Sequence, residues 1–219
     1  MDLALLILFI LSLAWAFVSI AFIACSRLWF REREGRGGPI PVSQAAGLTI
    51  GARAMLDPPR RLLELFRLAP GQTVLEIGPG PGYFTPEASR IVGPQGRIVC
   101  LDLQPGMLAL LKKRLRDRGV ANATPVAADA TRLPLADHAL DAAFLAAVFG
   151  EIPDRPAALT ELRRVLKPGA PLSFFETLRD PDYVYVDAMK DLCRAYGFQL
   201  VDHRRRFLGY TMTFTAPAT

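Results

Sequence analysis

Apolar and polar residues follow two different rhythms along this chain. From Leu3 to Cys25 the run LALLILFILSLAWAFVSIAFIAC is apolar almost throughout, broken only by Ser12 and Ser19. At about 1.5 Å per residue such a helix crosses a hydrocarbon layer of roughly 30 Å. The run is therefore read as a transmembrane helix. Further on, RRLLELFRL repeats its leucines and Phe66 at helical spacing behind Asp57-Pro58-Pro59, a capping residue followed by first-turn prolines, which predicts a helix over 58–68. Beyond Ala69-Pro70-Gly71 the pattern changes to short apolar runs: TVLEIG (73–78), RIVCLDL (97–103), ATPVAAD (123–129), LDAAFLAAV (140–148) and PLSFFET (171–177). Segments of helical composition separate them, and such βα repetition predicts a parallel sheet with helices on both faces. ELRRVLKPGA (161–170) predicts a helix closed by Lys167, Pro168 and Gly169. In the tail, Gln199–Arg204 and Tyr210–Thr215 predict a closing hairpin joined near Leu208-Gly209.

The organisation that follows is a membrane helix at 1–26, a juxtamembrane linker and substrate lid at 27–57, and a catalytic domain at 58–219. The linker RLWFREREGRGGPIP (27–41) is polar, glycine-rich and punctuated by prolines. Arg27, Arg31, Arg33 and Arg36 all follow the apolar run, whereas only Asp2 precedes it. The positive-inside tendency then places the domain on the cytoplasmic side, and Trp29 falls at the depth of the headgroups. A cleaved signal peptide would have a basic start and a shorter apolar stretch. A lipoprotein site at Cys25 would be preceded by an unusual Phe22, and a buried core helix would seldom end in a charge cluster. These three are the weaker readings.

Charge and composition narrow the classes. The formal net charge of +5 is spread among interleaved acids, not gathered into one basic block, so it does not call for nucleic acid. Cys25, Cys100 and Cys193 lie far apart without CxxC spacing, and the only histidines are His138 and His203. Neither a disulfide framework nor a zinc site is expected. Arg204-Arg205-Arg206 reads as a solvated strand edge, with lipid headgroups as the rival partner.

The strongest local signal is VLEIGPGPGYFT (74–85), a strand running into a turn with glycines at alternate positions. Glycine permits positive φ and lets the backbone approach a ligand closely. The spacing is GxGxG, not the GxGxxG of nicotinamide proteins. Glu76, two residues before the first glycine, suits a cationic amino-acid moiety better than a pyrophosphate. Asp102 ends the next strand, where a carboxylate accepts from ribose hydroxyls. Asp129-Ala130 follows the third strand, where the acid accepts from an adenine amino group and the next N–H donates to the ring.

These segments, with IVCLDLQPGML, AADATRLPL, LDAAFLAAV and LRRVLKPGAPL, resemble the successive motifs of class I S-adenosylmethionine-dependent methyltransferases over roughly residues 58–219. The resemblance implies a Rossmann-like three-layer α/β sandwich with a seven-stranded sheet of order 3-2-1-4-5-7-6. It also implies S-adenosylmethionine as the donor, held by Glu76, Gly78, Gly80, Gly82, Asp102, Leu103, Met107, Asp129, Ala130 and Ala146, with no metal. Met107 reads equally well as core.

Methyl transfer from a sulfonium is an in-line displacement, so alignment and exclusion of water are the main demands on the protein. In the family fold the acceptor is met by the ends of the fourth and fifth strands and by the segment before the first helix. That region supplies Phe149, Glu151, Glu176, Arg179, Asp180, Asp182, Tyr183 and Tyr185, with Ile40 to Arg53 as a lid. Glu151, Glu176 and Tyr183 are the catalytic candidates. The fourth strand leads into Ala146-Ala147-Val148-Phe149, with neither an NPPY-type sequence nor a nucleophilic cysteine, which disfavours DNA bases and covalent pyrimidine chemistry. A membrane tether concentrates the enzyme near lipid-dissolved acceptors, pointing to a small hydrophobic or amphipathic substrate such as a phospholipid headgroup or a quinone. A nicotinamide-dependent oxidoreductase and a non-catalytic donor-binding membrane protein are the alternatives.

Overall fold

The computed structural model describes residues 58–218 throughout, residues 38–43 and 45 before them, and positions 6, 12, 13 and 17. Among these no helix is long and apolar enough to cross a membrane. The transmembrane helix expected at 1–26 and most of the expected lid lie outside the described residues.

Strands β1 (Thr73–Ile77), β2 (Arg97–Asp102), β3 (Ala123–Ala127), β4 (Ala142–Ala146), β5 (Pro171–Thr177), β6 (Gln199–Arg206) and β7 (Gly209–Thr215) form one sheet. Its order is β3-β2-β1-β4-β5-β7-β6, as expected for the class. The pairings from β3 across to β5 are parallel, and β7 runs antiparallel to both its neighbours. The helices are α1 (Pro59–Leu63), α2 (Thr85–Val92), α3 (Pro105–Asp117), α4 (Arg155–Val165) and α5 (Val186–Ala195).

Strand alternation divides the core between the two faces of the sheet. On one face Val74, Ile98, Cys100, Ala142, Phe144 and Phe175 pack with Leu62, Phe66, Ala88 and Leu111. On the other Leu75, Val99, Leu101, Ala143, Leu145 and Phe174 pack with Leu159, Leu162 and Met189. These central strands are buried on both sides, so they read as continuous apolar runs in the sequence.

Several boundaries differ from those expected. The first helix ends at Leu63, tightens into a 3₁₀ turn at Glu64–Phe66 and stops where Arg67 turns left-handed at φ 55°. Its N-cap position is held by Pro58, without a side-chain hydrogen bond, so the capping place assigned to Asp57 is taken. The helix expected over 161–170 is α4, which starts earlier because Asp154 caps it through Ala157 N (2.9 Å) and ends once Leu166 becomes extended. Strand β4 is shorter than 140–148. Leu140 makes a separate bridge to Leu166, and Ala147 turns left-handed at φ 57°.

Candidate active site

A cavity of about 330 Å³ opens at the carboxyl ends of β1 to β4, within the size range of small-ligand sites. Its floor is the glycine turn after β1. Gly78 N–H donates to Leu101 O (2.8 Å) and Gly82 N–H to Pro79 O (2.9 Å), which fixes the turn between β2 and α2. At Gly78, with φ +66°, an added Cβ would fall 2.5 Å from the Val148 side chain. Only glycine fits where β1 meets the end of β4.

Asp102 closes one wall. Its carboxylate accepts from Gly80 N–H (3.2 Å) and Gln104 N–H (2.9 Å), tying the turn to the β2 end. Burial raises its pKa, and those two N–H groups oppose the rise. Asp129 is pinned by Thr131 N–H on Oδ1 (2.8 Å), and with Ala130 it lines the same cavity. Met107 is buried and also reaches the lining, so it serves both core and cavity. Leu103 and Ala146 complete the wall, Leu103 standing at an exposed rim. Two carboxylates at successive strand ends, a backbone cradle and an apolar surround between them suit a nucleoside with a charged tail.

Two expected donor residues lie elsewhere. Glu76 follows Val74 by two positions and therefore points to the same sheet face as Cys100 and Phe144, beneath the turn. There its carboxylate accepts from the Thr85 hydroxyl (2.7 Å), and burial pushes its pKa up to about 8. Glu76 thus braces the turn against α2 and does not line the cavity. Gly82 is also outside the lining. It gives its carbonyl to Arg114 Nη1 (3.1 Å), and a Cβ there would meet Leu111 at 2.6 Å.

On the acceptor side, one of three candidates reaches the cavity. Glu151 sits in the 3₁₀ turn Phe149–Glu151 after β4. Burial and then the Asp180 charge raise its pKa to about 8, while the Ile40 N–H bonded to it pulls the other way. Glu176 lies behind this wall. It shares the sheet face of Phe174, accepts from Val184 N–H (3.4 Å) through one oxygen and leaves the other without a hydrogen-bond partner. Burial and Asp180 hold it near pKa 8 as well. Tyr183 packs its ring edge-on against Tyr185 and Tyr210, at centroid distances of 5.3 and 5.7 Å, and is not part of the lining. Phe149 is core, against Phe174. Among the described residues no group of three His, Cys, Asp or Glu side chains is placed to hold a metal ion.

The site also contains residues that sequence reasoning missed. Gln104 Nε2 donates to Ile40 O (2.9 Å), while Ile40 N–H bonds Glu151 on the opposite wall. Residues Pro39–Val42 thus form a strap across the cavity. The lid expectation included Ile40, but nothing in the sequence pointed to its two anchors. Ala147 is the second omission: its left-handed backbone shapes the lining after β4, and alanine carries no sign of that conformation.

Comparison with known proteins agrees with this geometry. Residues 74–169 match the family model of a methyltransferase domain. A SAM-dependent methyltransferase from Aquifex aeolicus superposes with a TM-score of 0.76 at 26% identity, covering 81% of this chain and 100% of that one. The protein carries a class I S-adenosylmethionine-dependent methyltransferase domain, and S-adenosylmethionine is its donor. Among curated proteins it is similar to the ubiquinone/menaquinone biosynthesis C-methyltransferase UbiE of Vibrio campbellii, 36% identical over 133 residues, which are 60% of this chain and 50% of that protein. The same-named protein of Shewanella oneidensis is 34% identical over 143 residues, covering 65% and 55%. The chain thus spans about half the length of the curated relatives it matches.

Proposed function

We propose that the protein transfers a methyl group from S-adenosylmethionine to a small hydrophobic or amphipathic acceptor, a quinone-type ring foremost, while tethered to a membrane with its domain on the cytoplasmic side. The observation that carries this reading is Glu151, a carboxyl that lines the cavity beside the apolar Val148 and Ile152. The names of the similar curated proteins support a quinone-type acceptor, and the apolar run 3–25 supports the tether.

When bound, the donor supplies an electrophilic methyl on a sulfonium leaving group. The rest falls to the chain. The turn and Asp102 hold the nucleoside end in place, and Ile152 and Val148 line a dry approach for a ring. The Pro39–Val42 strap keeps water from the reacting atoms. A ring carbon or hydroxyl that gains a methyl must lose a proton. Glu151, with a pKa near the operating pH, is matched to take it.

The test is transfer of labelled methyl from the donor in membranes containing the protein. Label in a lipid-extractable quinone-type product is expected, strongly reduced with Asp102→Ala at a donor concentration that does not saturate the variant. Label appearing only in soluble protein or RNA would reject the acceptor class.

A further inference from the structure

The strands from β1 to β5 run parallel, so their carboxyl ends, the cavity mouth and the strap share one end of the sheet. The β6–β7 turn is at that end too, because Gly209 pairs with both Thr177 at the end of β5 and Arg206 at the end of β6. Leu178 N–H donates to Leu208 O (2.9 Å), fastening the turn to the loop after β5. At its tip Phe207 is 93% exposed. Tyr185 at 67% and Leu178 at 37% are exposed on the same loop. The tip sequence DHRRRFL (202–208) contains three arginines against one aspartate. Arg204 is engaged by Asp202 at 3.1 Å, and Arg205 is exposed. An apolar ring projecting beyond cationic side chains is the chemistry of an interface between hydrocarbon and anionic headgroups.

We propose that the β6–β7 tip is a docking element for an anionic bilayer surface: Phe207 enters the acyl boundary, Arg205 meets headgroup phosphates, and the cavity mouth is thereby turned toward the membrane. The occupant is lipid, not protein, because the tip 202–208 combines one protruding ring with three arginines against one aspartate, where a protein-docking surface would need a broad apolar face. Docking would give a lipid-dissolved acceptor a route into the cavity without crossing bulk water. It rests on the proposed membrane association, but on no assumption about the acceptor.

The experiment uses the full chain with Cys25→Ser, so that the remaining native cysteines, Cys100 and Cys193, are buried. A nitroxide label is attached through Phe207→Cys, or through Leu200→Cys as a control at the opposite end of β6. Vesicles contain either phosphatidylcholine alone or a mixture with phosphatidylglycerol, and flotation reports whether the chain binds them at all. Expected is a label at position 207 more accessible to oxygen than to a water-soluble nickel complex on mixed vesicles, with the control showing the reverse. Arg205→Gln should lower the docked-to-undocked ratio roughly fivefold, as expected for one basic residue at an anionic surface. A chain that floats while its position-207 label stays as water-accessible as the control overturns the docking and leaves the tether standing. A chain that does not float overturns both. Protection of the label without vesicles would assign the tip to a second protein copy and overturn the lipid partner, and equal insertion into pure phosphatidylcholine would overturn the headgroup contact.

Discussion

Glu76 and Thr85 stand nine residues apart on either side of the glycine turn, and the Thr85 hydroxyl closes on the Glu76 carboxylate at 2.7 Å. The carboxyl so enclosed titrates near 8 instead of 4.5, chiefly because it is buried. Glu151 and Glu176 are raised to a similar value.

The folded protein therefore holds protons that the unfolded chain releases. Between about pH 4.5 and 8 the native state binds more protons, so stability falls as pH rises across that window. Thermal unfolding at pH 5.5, 7 and 8.5 should show a declining Tm. Glu76→Gln, which keeps an oxygen for Thr85, should flatten the decline. An unchanged slope would place the titration elsewhere.

Glu151 must be ionised to accept a proton, so kcat should rise as pH passes through about 8. Glu151→Gln removes this dependence and lowers kcat by roughly 10²- to 10⁴-fold, while its amide oxygen still receives Ile40 N–H and donor affinity is retained. Stopped-flow turnover across pH separates this from a collapse of the site, which would weaken donor binding equally.

Asp102→Ala removes the acceptor for Gly80 and Gln104 and, on the proposed reading, for the donor's hydroxyls. Calorimetric titration should show donor affinity reduced roughly tenfold to a hundredfold, the effect of one charge-assisted hydrogen bond of about 1.5–3 kcal/mol. Tight NAD binding by the parent chain would contradict the donor assignment.

Gly78→Ala sets a methyl 2.5 Å from Val148 in a left-handed backbone. It should destabilise by at least about 1–2 kcal/mol from backbone strain alone, seen in urea unfolding. Adding Val148→Ala should relieve the contact but not the strain, so recovery is partial.

The sheet was legible because its central strands are covered on both faces and so appear as unbroken apolar runs. β5 begins and ends where the pattern says, between Pro171 and Thr177. β4 does not, because Ala147 leaves the strand through a backbone angle that its side chain does not advertise. That Asp102 and Asp129 would meet at one cavity was readable from their places at strand ends. Glu76 was readable as important but not as a brace, since its role depends on which sheet face it takes and on Thr85 reaching back. Glu176 and Tyr183 stand in the right loop region yet behind its wall, a distinction of depth that spacing does not encode.

Gln104→Leu removes the side-chain bond to Ile40 while leaving the backbone cap of α3 intact. Donor release should quicken by roughly two- to tenfold, in proportion to one neutral hydrogen bond of about 0.5–1.5 kcal/mol, in a chase experiment with labelled donor.

The strap has a practical consequence for anyone shortening the chain to ease purification. A version beginning at Pro58 would keep every strand of the sheet, yet it would discard Ile40 and with it the bridge between Gln104 and Glu151. Affinities and rates measured on such a fragment would describe a cup without its handle, and trimming should stop before Pro39.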